Sequence, residues 1–441
     1  MKQYSILLIL AAIVCSCGPA RWVDRSAKEM VIHNKALTTA HTGISVYSPE
    51  EKKYLYHYQD EKYFVPASNV KIATCYAAMK YLGDSLTGAF INENDSVIHV
   101  YANGDPTFLS TTFSKHPLYN YLKQDHKKIY LHPPVVAFKT YGKGWSWDDY
   151  ADPFMPSRSV FPMYDNLVRF EQNNGKLKIT PSLVNFKGES LHNATFHKTK
   201  GFIIKRSFTD NEFSIIDDAD STKTYSEVPY QSSAWFGSAL GLEARLLNDT
   251  LKSDRVFPNY VDSLRPKRRL HSQPTDSLLK PMMHRSDNFF AEQSLLMESN
   301  EVLGVMNDER IIDTLLKTDF KDLPQKPRWV DGSGLSRYNL FTPQDFVFIL
   351  DKIQREFGME RVKEIFPTGN EGSLKNYFTS DSSFVYAKTG TLSGIVALSG
   401  YVYTRKNKLL IFSILVNNHQ ASSTEVRRAV ERFILLLRKK L

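Results

Sequence analysis

The feature that constrains this chain most is a run of three strand-length segments close to its end: FVYAKTGTL (384–392), IVALSGYVYT (395–404) and KLLIFSILVNN (408–418). Such segments leave backbone groups unpaired at their edges and apolar faces uncovered, so other strands must complete them and helices must cover them. A cover follows at once. Ser422 and Glu425 form a capping box, and Val426, Ala429, Val430, Phe433 and Leu437 then recur as one apolar helical face. Further strands lie at the other end of the chain, where GISVYS (43–48) and KYLYHY (53–58) flank PEEK in the pattern of a hairpin. The two ends are therefore predicted to meet in one helix-flanked antiparallel sheet.

At 441 residues the chain is longer than one hydrophobic core usually serves. Between residues 85 and 270 the texture changes to short β-like pieces, such as SVIHVYANGDPTF and KKIYLHPPVVAFKTYGKGWSW, punctuated by Gly, Pro, Asn and Asp. The fold class read from this is α/β (α+β). Residues 18–84 and 271–441 form the sheet domain, and a mostly β region, 85–270, is inserted into it. SLLKPMMHRSDNFFAEQSLLMES (277–299) reads as strongly helical, and NVKIATCYAAMKYLGD (69–84) as a helix stopped by Gly83.

The first residues read as an export signal: Lys2, then the apolar run from Ile6 to Val14, then small residues and two cysteines. The run is shorter than the roughly 20 apolar residues a membrane span needs. Cys17, preceded by Ser16 and followed by Gly18, resembles the lipidated cysteine of bacterial lipoproteins, which makes 1–17 a lipoprotein-type signal peptide and implies a lipid-anchored protein of the periplasm. Cys15, two residues earlier, departs from that pattern, and cleavage after Ala20 is the rival reading. Cys75 is then the one cysteine of the mature domain and reads as a small buried apolar residue. Lys and Arg number 56 against 47 Asp and Glu, but no nucleic-acid module accompanies the resulting charge of +9, which argues against a nucleic-acid partner. The 12 histidines show no metal-ligand spacing, so a metallopeptidase is disfavoured and no metal is expected.

Within VPASNVKIAT (65–74), Ser68 and Lys71 stand three apart at the start of the predicted helix. That spacing puts both on one face and brings an amine to the hydroxyl. A serine is a weak nucleophile until a base takes its proton, and lysine serves as one when burial or a second cation lowers its pKa. The Ser68 amide, at a helix N-terminus, also faces the place where an oxyanion would form. Ser-x-x-Lys alone is a weak signal, because Ser277 and Lys280 repeat it. Ser286-Asp287-Asn288 is the chain's only Ser-x-Asn, and Lys388-Thr389-Gly390 its only Lys-Thr-Gly. Ser277 shares a predicted helix with Ser286 and cannot supply a separate wall of a site. Ser68 can.

These three motifs, in this order, are the shared signature of class A β-lactamases and penicillin-binding proteins. The flanks PASNVKIAT, NGDPTF (103–108), GWSWDDY (144–150), DGSGLSRYN (331–339) and KTGTLSGIVALSGYV (388–402) narrow the likeness. From about residue 40 onward the chain resembles the class C low-molecular-mass penicillin-binding proteins, the DacB-like D-alanyl-D-alanine carboxypeptidase and endopeptidase family. The long interval between Ser68 and Ser286 leaves room for the inserted domains of that family. A class A β-lactamase is shorter there and needs a deacylating Glu-x-x-Asn, which residues 289–387 lack.

The resemblance implies a penicillin-binding fold and a serine DD-peptidase that needs no cofactor. Its substrates would be peptidoglycan stem peptides ending in D-Ala-D-Ala and their cross-links, with β-lactams as covalent inhibitors. It makes Ser68 the acylated nucleophile and Lys71 its base. Ser286 relays a proton to the leaving amine, Asn288 holds the substrate backbone, and Lys388 completes the catalytic set. Asp287, Thr389, Gly390 and Thr391 belong to substrate binding: Lys388 and Thr389 read the substrate carboxylate, Gly390 lets the strand approach, and the Thr391 amide joins that of Ser68 in the oxyanion hole. Asp331 and the tryptophans of GWSWDDY read as turn and packing residues. Tyr164-Asp165-Asn166 resembles a variant second motif but is redundant beside Ser286. A protein of the same fold that acylates slowly, as a β-lactam sensor or wall-binding protein, is the alternative, separated by turnover of a D-Ala-D-Ala peptide.

Overall fold

The computed structural model describes residues 18–441 apart from 125, 174–175, 183–200, 219–221, 233–239, 261–267 and 381. The export signal with Cys15 and Cys17 lies outside the described residues. Two compact units divide the chain, one containing residues up to 76 with 279–286 and 314–441, the other 77–278 and 287–313. Packing therefore draws the boundary inside three helices, Lys71–Tyr81, Thr275–His284 and Asp308–Lys317, where the residue texture does not change.

The first unit is built on β1 (His41–Ser48), β2 (Lys53–Tyr58), β3 (Val385–Leu392), β4 (Ile395–Tyr403) and β5 (Leu409–Asn417). They form one antiparallel sheet in the order β3-β4-β5-β1-β2, so the N-terminal hairpin adds directly to the C-terminal strands. Ile44 faces Ile414 across the β1–β5 seam, and Leu398 faces Ile414 across the next. Alternation along the strands sends Ile44, Val46, Val396, Leu398, Phe412, Ile414 and Val416 to one face, where they form a single cluster with Val426, Ala429, Val430, Phe433 and Leu437. Burying each of the larger of these side chains contributes about 1.5–3 kcal/mol. The opposite face takes the long helix Pro343–Ile365, which packs across β1 and β5 and receives the Tyr401 hydroxyl at Leu350 O, 2.7 Å.

Helix ends are secured as their sequences dictate. The C-terminal helix, Ser423–Lys440, starts at Ser422, whose hydroxyl accepts from Glu425 N while Glu425 Oε2 accepts from Ser422 N. Thr342 and Asp345 make the same box for Pro343–Ile365, with proline at the first helical turn, where its missing N–H costs nothing.

The second unit holds a five-stranded sheet in the order Val256–Pro258, Lys128–His132, Val97–Ala102, Ser85–Glu93, Arg268–Pro274, in which the first three strands run parallel. A three-stranded sheet (Tyr225–Pro229, Leu167–Asn173, Lys176–Thr180), a two-stranded ribbon (Gly201–Arg206, Phe213–Asp218) and the helices Pro117–Gln124 and Gly241–Leu251 complete the region between its outer strands. Its core is not purely apolar. Arg158 is buried between Asp308 (2.6 Å) and Glu292 (3.3 Å), with its planar group over the rings of Phe138 and Trp145. Asp105 of NGDPTF turns the chain by accepting from the Thr107 amide and hydroxyl. In GWSWDDY, Trp145 packs against Arg158, whereas Trp147 is 73% exposed.

The helical stretch expected over 277–299 is two helices, Thr275–His284 and Asn288–Leu303. The break falls at Ser286, whose φ of +61° lies in the left-handed region that ends helices, and Asp287 then caps the second helix by accepting from Phe290 N at 3.0 Å.

Glu243 of the helix Gly241–Leu251 is fully buried, with the Ser232 hydroxyl 2.7 Å from Oε1, and burial pushes its carboxyl up to about 7. The raised value means that the folded state favours the neutral acid. Stability is then greatest below the unfolded carboxylate range and falls as pH rises from about 4.5 to about 7. Glu243→Gln should flatten that fall, gaining about 3 kcal/mol over the parent at pH 8 and little at pH 4, measured by urea unfolding across the range. An equal effect at both pH values would contradict it.

Candidate active site

Ser68 sits in a 3-10 turn, Ala67–Val70, that runs directly into the helix Lys71–Tyr81. Its hydroxyl accepts from Lys71 Nζ at 3.1 Å. The turn is tied to the sheet through Asn69, whose Nδ2 donates to Ser399 Oγ at 3.0 Å. Ala67 has φ +48°, a strained value for a residue with a Cβ, and the reason lies across from it. Gly334, at φ +84°, comes so close that a Cβ there would lie 1.9 Å from Ala67 O. Only glycine fits.

Gly334 belongs to DGSGLSRYN, and that loop holds Lys71. Lys71 is fully buried and donates to Ser333 O at 2.7 Å, while Thr74 donates to Gly332 O at 2.7 Å. The loop is drawn together by the buried carboxylate of Asp331, which accepts from Gly334 N (2.8 Å), Ser336 N (2.7 Å) and Asn339 Nδ2 (2.8 Å). The bond to Ser333 O fixes the Lys71 amine beside the Ser68 hydroxyl, the placement a general base requires. The sequence motif pointed to Asp331 as a turn residue. The carbonyl contacts of its loop carry no side-chain signature and could not be read from residue types.

Lys388 is the second buried amine. Its Nζ donates to Ser286 Oγ and to Thr389 O, each at 2.8 Å. Burial, and then the Lys71 charge, hold it well below the usual lysine range, so the depression falls on Lys388. Two ammonium groups do not coexist cheaply in one dry site. A Cβ at Gly390 would stand 2.7 Å from Pro66 O, so glycine lets β3 lie against the turn that carries Ser68. Strand alternation separates the rest of the motif. Lys388 and Gly390 point to the Ser68 face, and Thr389 and Thr391 to the face of the C-terminal helix, where Thr391 Oγ1 accepts from Arg427 Nη2.

The structure thus gathers Ser68, Lys71, Ser286 and Lys388 in hydrogen-bonded pairs within the first unit, with Thr389, Gly390 and Thr391 on the same strand as Lys388. Asp287 is the cap of the helix Asn288–Leu303, and Asn288, whose Nδ2 donates to Phe154 O at 2.8 Å, belongs to the second unit. The second Ser-x-x-Lys copy is not assembled: Ser277 is exposed, and Lys280 forms a 2.9 Å ion pair with Glu364. Among the described residues no cluster of three metal-binding side chains occurs.

A serine paired with a buried lysine, beside a second serine held by a second lysine on an edge strand, is the arrangement that the three motifs call for in the penicillin-binding and β-lactamase-like fold. The chain belongs to the D-Ala-D-Ala carboxypeptidase 3 (S13) family, whose pattern matches residues 25–437. It is similar to penicillin-sensitive carboxypeptidase A of Dictyostelium discoideum, 31% identical over 120 residues that make up 25% of this chain and 23% of that protein. It is also similar to the D-alanyl-D-alanine carboxypeptidase DacB of Haemophilus influenzae, 28% identical over 167 residues, 35% of this chain and 34% of that protein. The matched segments thus span well under half of these curated relatives. The crystal structure of penicillin binding protein 4 (dacB) from Haemophilus influenzae shares the fold over 95% of this chain and 99% of that one, with a TM-score of 0.71 at 19% identity.

Gly334→Ala should force the loop away from Ala67 and carry Ser333 O off Lys71. A displacement near 1 Å at a catalytic group costs about a hundredfold. The rate of Ser68 acylation by a fluorescent penicillin should fall by that order while the protein stays folded; an unchanged rate would show that the loop does not position the base.

Proposed function

We propose that the protein is an exported serine-type D-Ala-D-Ala carboxypeptidase that also acts as a DD-endopeptidase on peptidoglycan and is acylated by β-lactams. The observation that carries this is Ser68 Oγ at 3.1 Å from the fully buried Lys71 in a chain of the S13 family. Ser68 attacks the carbonyl carbon of the penultimate D-alanine and Lys71 takes its proton. The oxyanion is held by the backbone amides of Ser68 and Thr391. Collapse breaks the peptide bond, and the leaving nitrogen takes a proton from Ser286, which Lys388 orients and which regains a proton from the Lys71 ammonium, so that Lys71 is neutral again. Water then hydrolyses the ester on Ser68, with Lys71 again as base, releasing the shortened peptide.

Both reactions fit one site. In a stem peptide the leaving D-alanine carries a carboxylate beside the scissile nitrogen. In a cross-link to diaminopimelate the leaving nitrogen sits on the D-centre, which carries a free carboxylate too. Residues 85–270 are proposed as the inserted region of a sheet domain formed by residues 18–84 and 271–441.

Incubation with an acyl-D-Ala-D-Ala peptide should release D-alanine over many turnovers, and Ser68→Ala should abolish both this and covalent penicillin labelling, whereas Ser277→Ala should keep them. Labelling without turnover would favour a slow β-lactam sensor, and labelling that survives Ser68→Ala would place the nucleophile elsewhere.

The lipoprotein reading is part of the proposal and rests on Cys17 after Ser16 at the end of a short apolar run. Expressed in a bacterium, the protein should incorporate labelled fatty acid and partition into detergent, and Cys17→Ala should prevent both. A lipid-free mature protein beginning at Arg21 would refute the anchor and leave periplasmic export by simple cleavage.

A further inference from the structure

The carboxylate on the leaving residue calls for a cation, and Lys388 is poorly suited to supply one. Its nitrogen is fully buried, bonded to Ser286 Oγ and Thr389 O, and held below the ordinary lysine range. A guanidinium is held on the other face of the same edge strand. Arg427, near the start of the C-terminal helix, donates through Nη2 to the exposed Thr391 Oγ1. Thr389 and Thr391, two residues apart, share that face. Thr389 and Arg427 also line one cavity of about 20 Å³ with Tyr377, Phe378 and Val430. That volume admits about one water or one carboxylate oxygen, not a side chain.

Arg427 is also uncommitted in charge. Among the described residues no carboxylate pairs with it, whereas its neighbour Arg428 is taken by Glu431 at 2.6 Å. Tyr377 supports both guanidinium groups, its ring centre 5.9 Å from Arg427 and 4.4 Å from Arg428. A guanidinium has five N–H donors in a fixed fork that matches a carboxylate, and it stays charged at any working pH. Because β3 is the outer strand of its sheet, a substrate lying along it can turn its terminal group toward this face.

We infer that Arg427, with the Thr389 and Thr391 hydroxyls, reads the free carboxylate of the departing D-residue and so sets the preference for acid over amidated substrates. The inference rests on the peptidase reading proposed above and adds to it a specificity-determining residue that none of the three motifs contains.

The test compares acyl-D-Ala-D-Ala with its C-terminal amide on the unmutated protein, Arg427→Gln and Arg427→Lys. The unmutated enzyme should prefer the acid. Arg427→Gln should lower kcat/KM on the acid by about ten- to a hundredfold and leave the amide within about threefold, collapsing the preference. Arg427→Lys should recover part of it, since the charge returns without the fork. Any effect of Arg427 on Lys388, or on folding, would act on both substrates alike, so the ratio isolates the carboxylate. An unchanged preference, or equal losses on both substrates, overturns the inference while leaving the peptidase standing. Absence of both D-alanine release and penicilloyl-Ser68 from the unmutated protein overturns the peptidase reading, and the inference with it.

Discussion

The repulsion between two buried amines governs the architecture of the site. Lys71 and Lys388 are both fully buried, and burial first, then the charge on Lys71, holds Lys388 below the usual lysine range. In a medium of low dielectric this repulsion is far stronger than in water. The cost is bearable only if one amine is neutral and every remaining N–H finds an acceptor. Ser333 O serves Lys71, and Thr389 O serves Lys388, leaving each amine directed at a serine hydroxyl. The burial that burdens the fold is also what brings both amines to their serines, so the cost and the chemistry share one origin.

Holding such a pair requires backbone at close quarters from separate segments. Gly334 and Gly390 both meet the 66–67 backbone at distances that exclude a Cβ, one from the 331–339 loop and one from the edge strand. Asp331 closes its loop with three accepted hydrogen bonds, which turns a flexible Gly-rich stretch into a fixed set of carbonyls. Positioning is thus delegated to main-chain atoms, and the reactive side chains are few.

Much of the first unit was legible in the residues because it obeys simple periods. The alternation in the three C-terminal strands, the capping box at Ser422 and the apolar stripe from Val426 to Leu437 point to one packing, and the structure has it. The pairing of Ser68 with Lys71, and not of Ser277 with Lys280, was legible because three motifs had to agree. The break at Ser286 was not: apolar residues continue on both sides of it, and a single left-handed residue leaves no trace in periodicity. The buried Arg158 between Glu292 and Asp308 was likewise invisible, since its partners lie far along the chain and charged residues read as surface. Nor could the motif Lys-Thr-Gly say that its lysine and threonine look to opposite faces until a strand was established there.

The seam between β1 and β5 joins His41 to Asn417, the start of the first and the end of the last strand of this sheet in chain order. While a ribosome makes this protein, the hairpin of β1 and β2 must wait with one edge unpaired until β5 has emerged. Contacts of such long range are slow to form. Lys71 and Lys388 are likewise kept apart until β3 has emerged, so a shorter nascent chain holds Ser68 and Lys71 with no oriented second amine. The paired amines therefore assemble together with the finished sheet.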